Sequence, residues 1–210
     1  MRKTITSISA GFALVATFTL VFTSCQKDQS SSYNNAELMI AAREASATPP
    51  SLTCGGSIPD ILQVPEGNRL ALTAYATGVQ NYQVRQTGND PVTYAWVNIG
   101  PQAVLYAKPD FTNEIGTHYG GPSWEFSKGL YKGEKVVAAK QKEVTPDPTA
   151  VAWLLLKTND ELSSAGNKIT YIQRVCTSAG IAPSIPASES NLGQIESSSY
   201  TTTYLFYTKQ

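Results

Sequence analysis

From Cys54 to the C-terminus no stretch of ten or more residues keeps apolar side chains at the helical spacing, and this absence constrains the fold more than any single motif. What recurs instead is short segments rich in β-branched and aromatic residues, parted by turn residues. Leu70-Ala-Leu-Thr-Ala-Tyr-Ala76 and Asn81-Tyr-Gln-Val-Arg85 alternate apolar and polar positions, and Thr93-Tyr-Ala-Trp-Val97 and Ala103-Val-Leu-Tyr-Ala107 follow. Segments 151–156, 168–175 and 200–208 continue the pattern. The expectation is an all-β domain over residues 54–210, an antiparallel sandwich or closed barrel large enough to enclose one core. Within it, Thr201-Thr202-Thr203 beside Tyr200, Tyr204 and Tyr207 predicts a strand with one solvated face, and Leu154-Leu155-Leu156 one covered on both faces.

The N-terminus has a different character. Met1-Arg2-Lys3 is followed by an uncharged run to Ser24 that includes Phe12, Leu14, Val15, Phe18, Leu20, Val21 and Phe22, the layout of a secretory signal. A permanent span is the competing reading, but Thr and Ser interrupt the run, and a spanning helix needs about 20 consecutive apolar residues. Val21-Phe22-Thr23-Ser24-Cys25 resembles the lipobox of bacterial lipoproteins, so residues 1–24 are expected to be a lipoprotein signal peptide and Cys25 the lipidated first residue of the mature chain. Gln26-Lys27-Asp28-Gln29 resembles the Gln-Lys-acidic tag that sends some lipoproteins of Bacteroidetes-type bacteria to the cell surface. The resemblance implies an outer-membrane lipoprotein, surface-exposed or facing the periplasm, held to the membrane by its acyl chains. Residues 25–53, dominated by Ser, Asn, Ala and Thr, read as a disordered tether.

With Cys25 acylated, Cys54 and Cys176 remain as a pair in an oxidising compartment, where either a disulfide or two separate thiols would be consistent with sequence. A bridge closing so long a loop would stabilise by about 4 kcal/mol in the chain-entropy model. No Cys-x-x-Cys and no Cys/His cluster occurs, so no metal site and no cofactor are expected. The chain carries 16 basic and 16 acidic residues; loss of Arg2 and Lys3 leaves 14 against 16, a mature charge of −2. Such a balance exerts no long-range pull on nucleic acid.

The densest collection of chemically able residues is Gly116-Thr-His118-Tyr119-Gly-Gly-Pro122-Ser-Trp124-Glu125, which holds the single histidine of the chain. Read as chemistry, His118 and Glu125 are an acid/base pair beside a Trp124 wall, and the activity would be that of a hydrolase or isomerase. Read as packing, the segment turns between strands, with Trp124 in the core and His118 held by a backbone carbonyl. Packing is preferred, since one histidine without a nucleophile specifies no reaction. A Cys176 nucleophile paired with His118 is a weaker reading still. No Gly-x-Ser-x-Gly elbow, P-loop or dinucleotide fingerprint is present. Gln80, Tyr82, Trp96, Tyr106, Tyr119, Trp153, Tyr171, Gln173 and Arg174 supply planar and amide groups of the kind that bind sugars, although most such aromatics belong to cores.

The series Ile58-Pro59, Pro65-Glu-Gly67, Gly78-Val-Gln80-x-Tyr82, Trp96, Leu105-Tyr106, Gly116-x-His118-Tyr119-x-Gly121-Pro122-x-Trp124-Glu125, Trp153-Leu-Leu-Leu156 and Tyr171-Ile-Gln-Arg174-Val-x-Thr177 resembles the domain of unknown function 3455 family over nearly all of residues 58–207. The resemblance implies an exported domain without an established activity. Relatives commonly have Asp-Gly-Ser where this chain has Lys128-Gly129-Leu130, Cys at the position of Val84 and Asn at that of Cys176, so a disulfide here would differ from theirs. The functional expectation is an envelope or surface module that binds a ligand, a glycan or another envelope component, through Gln80, Tyr82, His118, Trp124, Glu125, Gln173 and Arg174. A purely structural envelope protein is the third reading.

Overall fold

A computed structural model describes Leu52 and residues 54–210. The expected signal peptide, the lipidation site Cys25 and nearly all of the expected tether lie outside the described residues.

Eight antiparallel strands form one closed barrel in which each strand pairs with the next and the last returns to the first. They are β1 (Asn68–Asn89), β2 (Val92–Tyr106), β3 (Glu114–Tyr119), β4 (Ser123–Phe126), β5 (Lys135–Val144), β6 (Trp153–Thr158), β7 (Ile169–Ala179) and β8 (Ile195–Lys209). Of the two all-β architectures expected, this is the barrel, which leaves no unpaired edge strand. β1 shows how the sequence specifies the wall. Ala74, Ala76, Gln80, Tyr82 and Val84 are buried at every second position and face inward, while Tyr75, Thr77, Val79 and Asn81 between them are only partly covered. The two segments expected on either side of Gly78 are one continuous strand, as are the two on either side of Gly100-Pro101. Register shifts at Asn81/Tyr82 and Gln86/Gly88 bend this long hairpin without ending it. Gly78 is required at the crossing, because a Cβ there would stand 2.2 Å from the Gln102 carbonyl oxygen.

The strands β3, β4 and β5 carry too few residues of alternating character to be read from sequence. β3 and β4 form a hairpin around Gly120-Gly121-Pro122, with His118 paired to Trp124 and Thr117 to Glu125. One end of the barrel is filled by Leu105, Ile115, Phe126, Tyr131, Val136, Ile169, Ile172 and Phe206, all buried. Phe126 stacks edge-on against Phe206 at 5.4 Å, and Trp124 against Tyr204 at 5.4 Å.

A second apolar cluster lies on the outside of the barrel. Leu52, Ile58 and Leu62 pack against Leu155, Val175, Leu205 and Tyr207. The segment leading into β1 thus covers the outer face of β6, β7 and β8, with a single 3-10 turn at Asp60–Leu62. Two corrections follow. Thr202 through Thr208 of β8 are buried on both faces, where one solvated face was expected, because this segment covers the outer one. Leu52, expected in the tether, is 7% exposed and belongs to the packed cluster. A disulfide between Cys54 and Cys176, 122 residues apart in the chain, ties the segment to β7.

Candidate functional site

At the end of the barrel away from the packed aromatics the interior opens into a cavity of about 660 Å³. β1, β2, β5 and β6 each run into it with two or more residues, while β3 contributes His118, β4 Trp124, β7 Arg174 and β8 Tyr204. The inward positions supply Gln80 and Tyr82 from β1, His118 from β3, Trp124 from β4 and Leu154 and Leu156 from β6. Asn98, Gly100, Pro101, Pro122, Lys140, Glu143 and Ala152 form the mouth. The volume lies within the range of small-molecule sites, roughly 300–1,000 Å³.

His118 is 2% exposed, stacked on the Trp124 ring at 4.5 Å and set edge-on to Tyr204 at 5.0 Å. Its Nδ1 lies 2.8 Å from the Ser123 carbonyl oxygen. A carbonyl only accepts, so Nδ1 holds the proton and Nε2 is left with a lone pair. Burial drives the His118 pKa down to about 3; the Ser123 carbonyl opposes the fall and the Arg174 charge adds to it. The ring is therefore neutral at ordinary pH.

Around it stand buried donors without a partner in hydrogen-bonding geometry among the described residues. The Gln80 amide accepts at Oε1 from Asn98 Nδ2 at 3.0 Å, while its own Nε2 makes no bond of full geometry and has the Tyr200 hydroxyl as its polar neighbour. The Trp124 indole N–H likewise has no partner, while the hydroxyls of Tyr200 and Tyr204 lie beside each other and beside Gln80 and Arg174 without a bond of full geometry. Burial raises the Tyr204 pKa well above the phenol range, the neighbouring Tyr200 adds to the rise and Arg174 opposes it. Tyr200 is raised as well, first by burial. Both phenols stay protonated and can donate. Each unsatisfied buried polar group costs about 1–3 kcal/mol, so a wall with several of them is expensive unless something enters to bond them.

Arg174 donates through Nε to the Ala152 carbonyl at 3.0 Å, which ties β7 to the strand end at the mouth. Tyr82 donates to the Gly180 carbonyl at 2.7 Å. Gly180 has φ +80°, and a Cβ there would meet Tyr200 Cβ at 2.7 Å and Gln80 Cγ at 3.3 Å, so glycine is what lets the β7–β8 connection press on both polar residues.

Of the residues singled out from sequence, Gln80, Tyr82, His118, Trp124 and Arg174 converge on this cavity. Glu125 and Gln173 do not. In the β3–β4 hairpin Glu125 pairs with Thr117 and points outward, where its carboxylate accepts from the Tyr119 hydroxyl at 3.1 Å. His118 and Glu125 therefore sit on opposite faces of the sheet and form no acid/base pair. Gln173 lies on the outer face beneath the covering segment; its Nε2 donates to the Leu62 carbonyl at 2.6 Å and its Oε1 accepts from the Tyr207 hydroxyl at 2.7 Å. Both ends of its amide are used in packing. Cys176 is bonded to Cys54 and packs with the outer cluster, so it is no nucleophile for His118. Asn98 and Tyr204, which line the cavity, and Tyr200, which stands against Gln80 and Tyr204, escaped the sequence reading. The two-residue spacing of Tyr200, Thr202, Tyr204 and Phe206 was the available signal for the latter pair, since it puts them on one face of β8. No group of three or more His, Cys, Asp or Glu side chains able to hold a metal occurs among the described residues.

Residues 65–208 match the family described as "Protein of unknown function (DUF3455)", which spans more than half of the chain. No curated protein and no solved structure matches it. The chain belongs to the DUF3455 family.

Proposed function

We propose that this DUF3455 protein is an exported, lipid-anchored envelope or surface module whose barrel binds a small molecule in the open end. The observation that carries the reading is the set of unpartnered polar atoms on Gln80, Trp124 and Tyr204 around a cavity of ligand size. Apolar Val151, Leu154 and Leu156 share the wall with them, the mixture of apolar lining and few directed polar groups found in ligand sites. Export and anchoring are supported by the signal-like residues 1–24 and by Cys25, and location at the outer membrane by the Gln26-Lys27-Asp28 tag.

The catalytic reading is not favoured by the geometry. The one carboxylate at the mouth, Glu143, is bonded to Lys140 at 2.7 Å, and the neutral His118 has too low a pKa to serve as an effective base. The purely structural reading requires the marked residues to be mutually satisfied with no cleft nearby, which the cavity and the orphan donors oppose.

Screening by thermal shift against oligosaccharides, peptidoglycan fragments, short amphiphiles and aromatic acids should find compounds that raise the melting temperature. Their affinity should fall at least about tenfold in Gln80→Leu and Trp124→Phe, each of which removes a donor worth roughly 1–2 kcal/mol. Hits that bind both variants as tightly as the parent would place binding elsewhere and remove the proposal.

A further inference from the structure

The geometry points to a ligand that carries a carboxylate on an apolar body, the head held by Arg174 together with Gln80 Nε2, Trp124 Nε1 and the Tyr204 hydroxyl, the body lying against Val151, Leu154 and Pro122. This identifies the occupant of the cavity and rests on the reading of that cavity as a binding site.

Charge is the first ground. Arg174 is half-buried, and among the described residues the one ion pair is Lys140–Glu143, both partners of which are more than half exposed at the mouth. The guanidinium donates from Nε to the Ala152 carbonyl and lies against the Tyr204 hydroxyl, and among the described residues no carboxylate pairs with its fork. Its charge reaches His118, Tyr200 and Tyr204 alike, so it faces the polar side of the cavity. A partly buried cation without a counter-charge is costly, and a carboxylate is the planar partner that the fork fits with two parallel bonds.

The balance of donors and acceptors is the second ground. Gln80 Nε2 and the Trp124 N–H donate and the Tyr204 hydroxyl can donate or accept, while the acceptors are His118 Nε2 and the second lone pair of Gln80 Oε1, which already accepts from Asn98. Sugar hydroxyls each donate as well as accept and would find few acceptors here. A carboxylate only accepts, at about four lone-pair positions, and is met here by the Arg174 fork, Gln80 Nε2 and the Trp124 N–H. Neutral His118 matters in the same way: a protonated imidazole stacked on Trp124 would add a charge beside Arg174, while the neutral ring leaves the guanidinium as the partly buried cation of the cavity, with Arg85 and Lys140 exposed at its edge.

The test compares 4-phenylbutyrate and decanoate with 4-phenylbutyramide, 4-phenylbutanol, decanol and inorganic sulfate, using the mature chain purified from membranes in a non-ionic detergent. Binding is read from tryptophan fluorescence and from ligand NMR. The acids should bind roughly 10- to 100-fold more tightly than their amide and alcohol counterparts, as expected for a charge-assisted pair. Arg174→Met should abolish that preference, Arg174→Lys should keep part of it, and Tyr204→Phe should weaken the acids alone. Should Arg174→Met melt at the working temperature because the Ala152 tie is lost, the lysine and phenylalanine variants decide. Equal binding of acid, amide and alcohol, or binding of sulfate as tight as that of the acids, overturns the carboxylate assignment and leaves the cavity a ligand site. Gln80-dependent binding of an oligosaccharide with no binding of the acids does the same. No binding by any compound of either panel overturns both proposals.

Discussion

Because the Ser123 carbonyl accepts the His118 Nδ1 proton inside a wall that keeps the ring almost out of water, protonation of His118 works against the fold. The unfolded ring has a pKa of about 6.5 and the folded one about 3, so between those values the unfolded chain binds the extra proton. Stability contributed by the neutral ring is fully present above pH 6.5 and is lost as pH falls toward 3. His118 is the chain's single histidine, and carboxylates begin to titrate mostly below pH 5. The interval from pH 7 to pH 5 therefore reports on this one side chain, and urea unfolding should show a loss of about 2 kcal/mol across it. In His118→Gln that slope should vanish even though the variant starts lower. A parent protein equally stable at both pH values would mean that the ring is hydrated, and the stacking on Trp124 would have to be abandoned with it.

At the scale of elements, what the sequence revealed and what it concealed follow from how much pattern each strand carries. β1, β2, β7 and β8 run for eleven residues or more, with alternation strong enough to expose them, whereas the ten residues of β5 include the polar run Lys140-Gln-Lys-Glu143. β3 and β4 have six and four residues, and their glycines and single His, Trp and Glu look as much like a functional loop as like a hairpin. The pairing of His118 with Trp124 across that hairpin is what separates the ring from Glu125, and no spacing rule applied to Gly116–Glu125 read as a loop could show it. Gln173 and Arg174 are adjacent, so a strand sends them to opposite faces: the amide into the outer cover, the guanidinium into the cavity. The outer cover was hidden for another reason. Its contacts, Leu62 with Gln173 and Cys54 with Cys176, join residues more than a hundred positions apart, and alternation within β8 carries no mark of them. Leu62 is fully buried in that cover, and Leu62→Ala should cost about 2–5 kcal/mol in denaturant unfolding. An effect below about 1 kcal/mol would show that residues 52–64 rest loosely on the barrel and that β8 tolerates an exposed outer face.

For the whole molecule, closure of the barrel and the disulfide make a demand on where the chain folds. A bridge between Cys54 and Cys176 spans 122 residues and removes much of the freedom of the unfolded chain, about 4–5 kcal/mol in the entropic account. Such a bond persists in oxidising compartments and is rare where thiols are kept reduced. On the export proposed above, the leader of residues 1–24 would carry the chain to the compartment in which the bridge that pins the cover can persist. Expression of the chain with its own leader should yield protein that takes up labelled fatty acid at Cys25, sediments with membranes and presents no free thiol to a maleimide mass tag. Cys25→Ser should abolish the label. A chain lacking residues 2–24, held in a reducing cytosol, should react at both Cys54 and Cys176 and melt at lower urea than the exported form, by the margin that dithiothreitol treatment of the exported form also produces. If the leaderless chain formed the bridge as completely as the exported one, or if the full chain stayed soluble in the cytosol without label, the compartment assigned to this barrel would be wrong, and its ligand would have to be sought among cytosolic carboxylates instead of envelope ones.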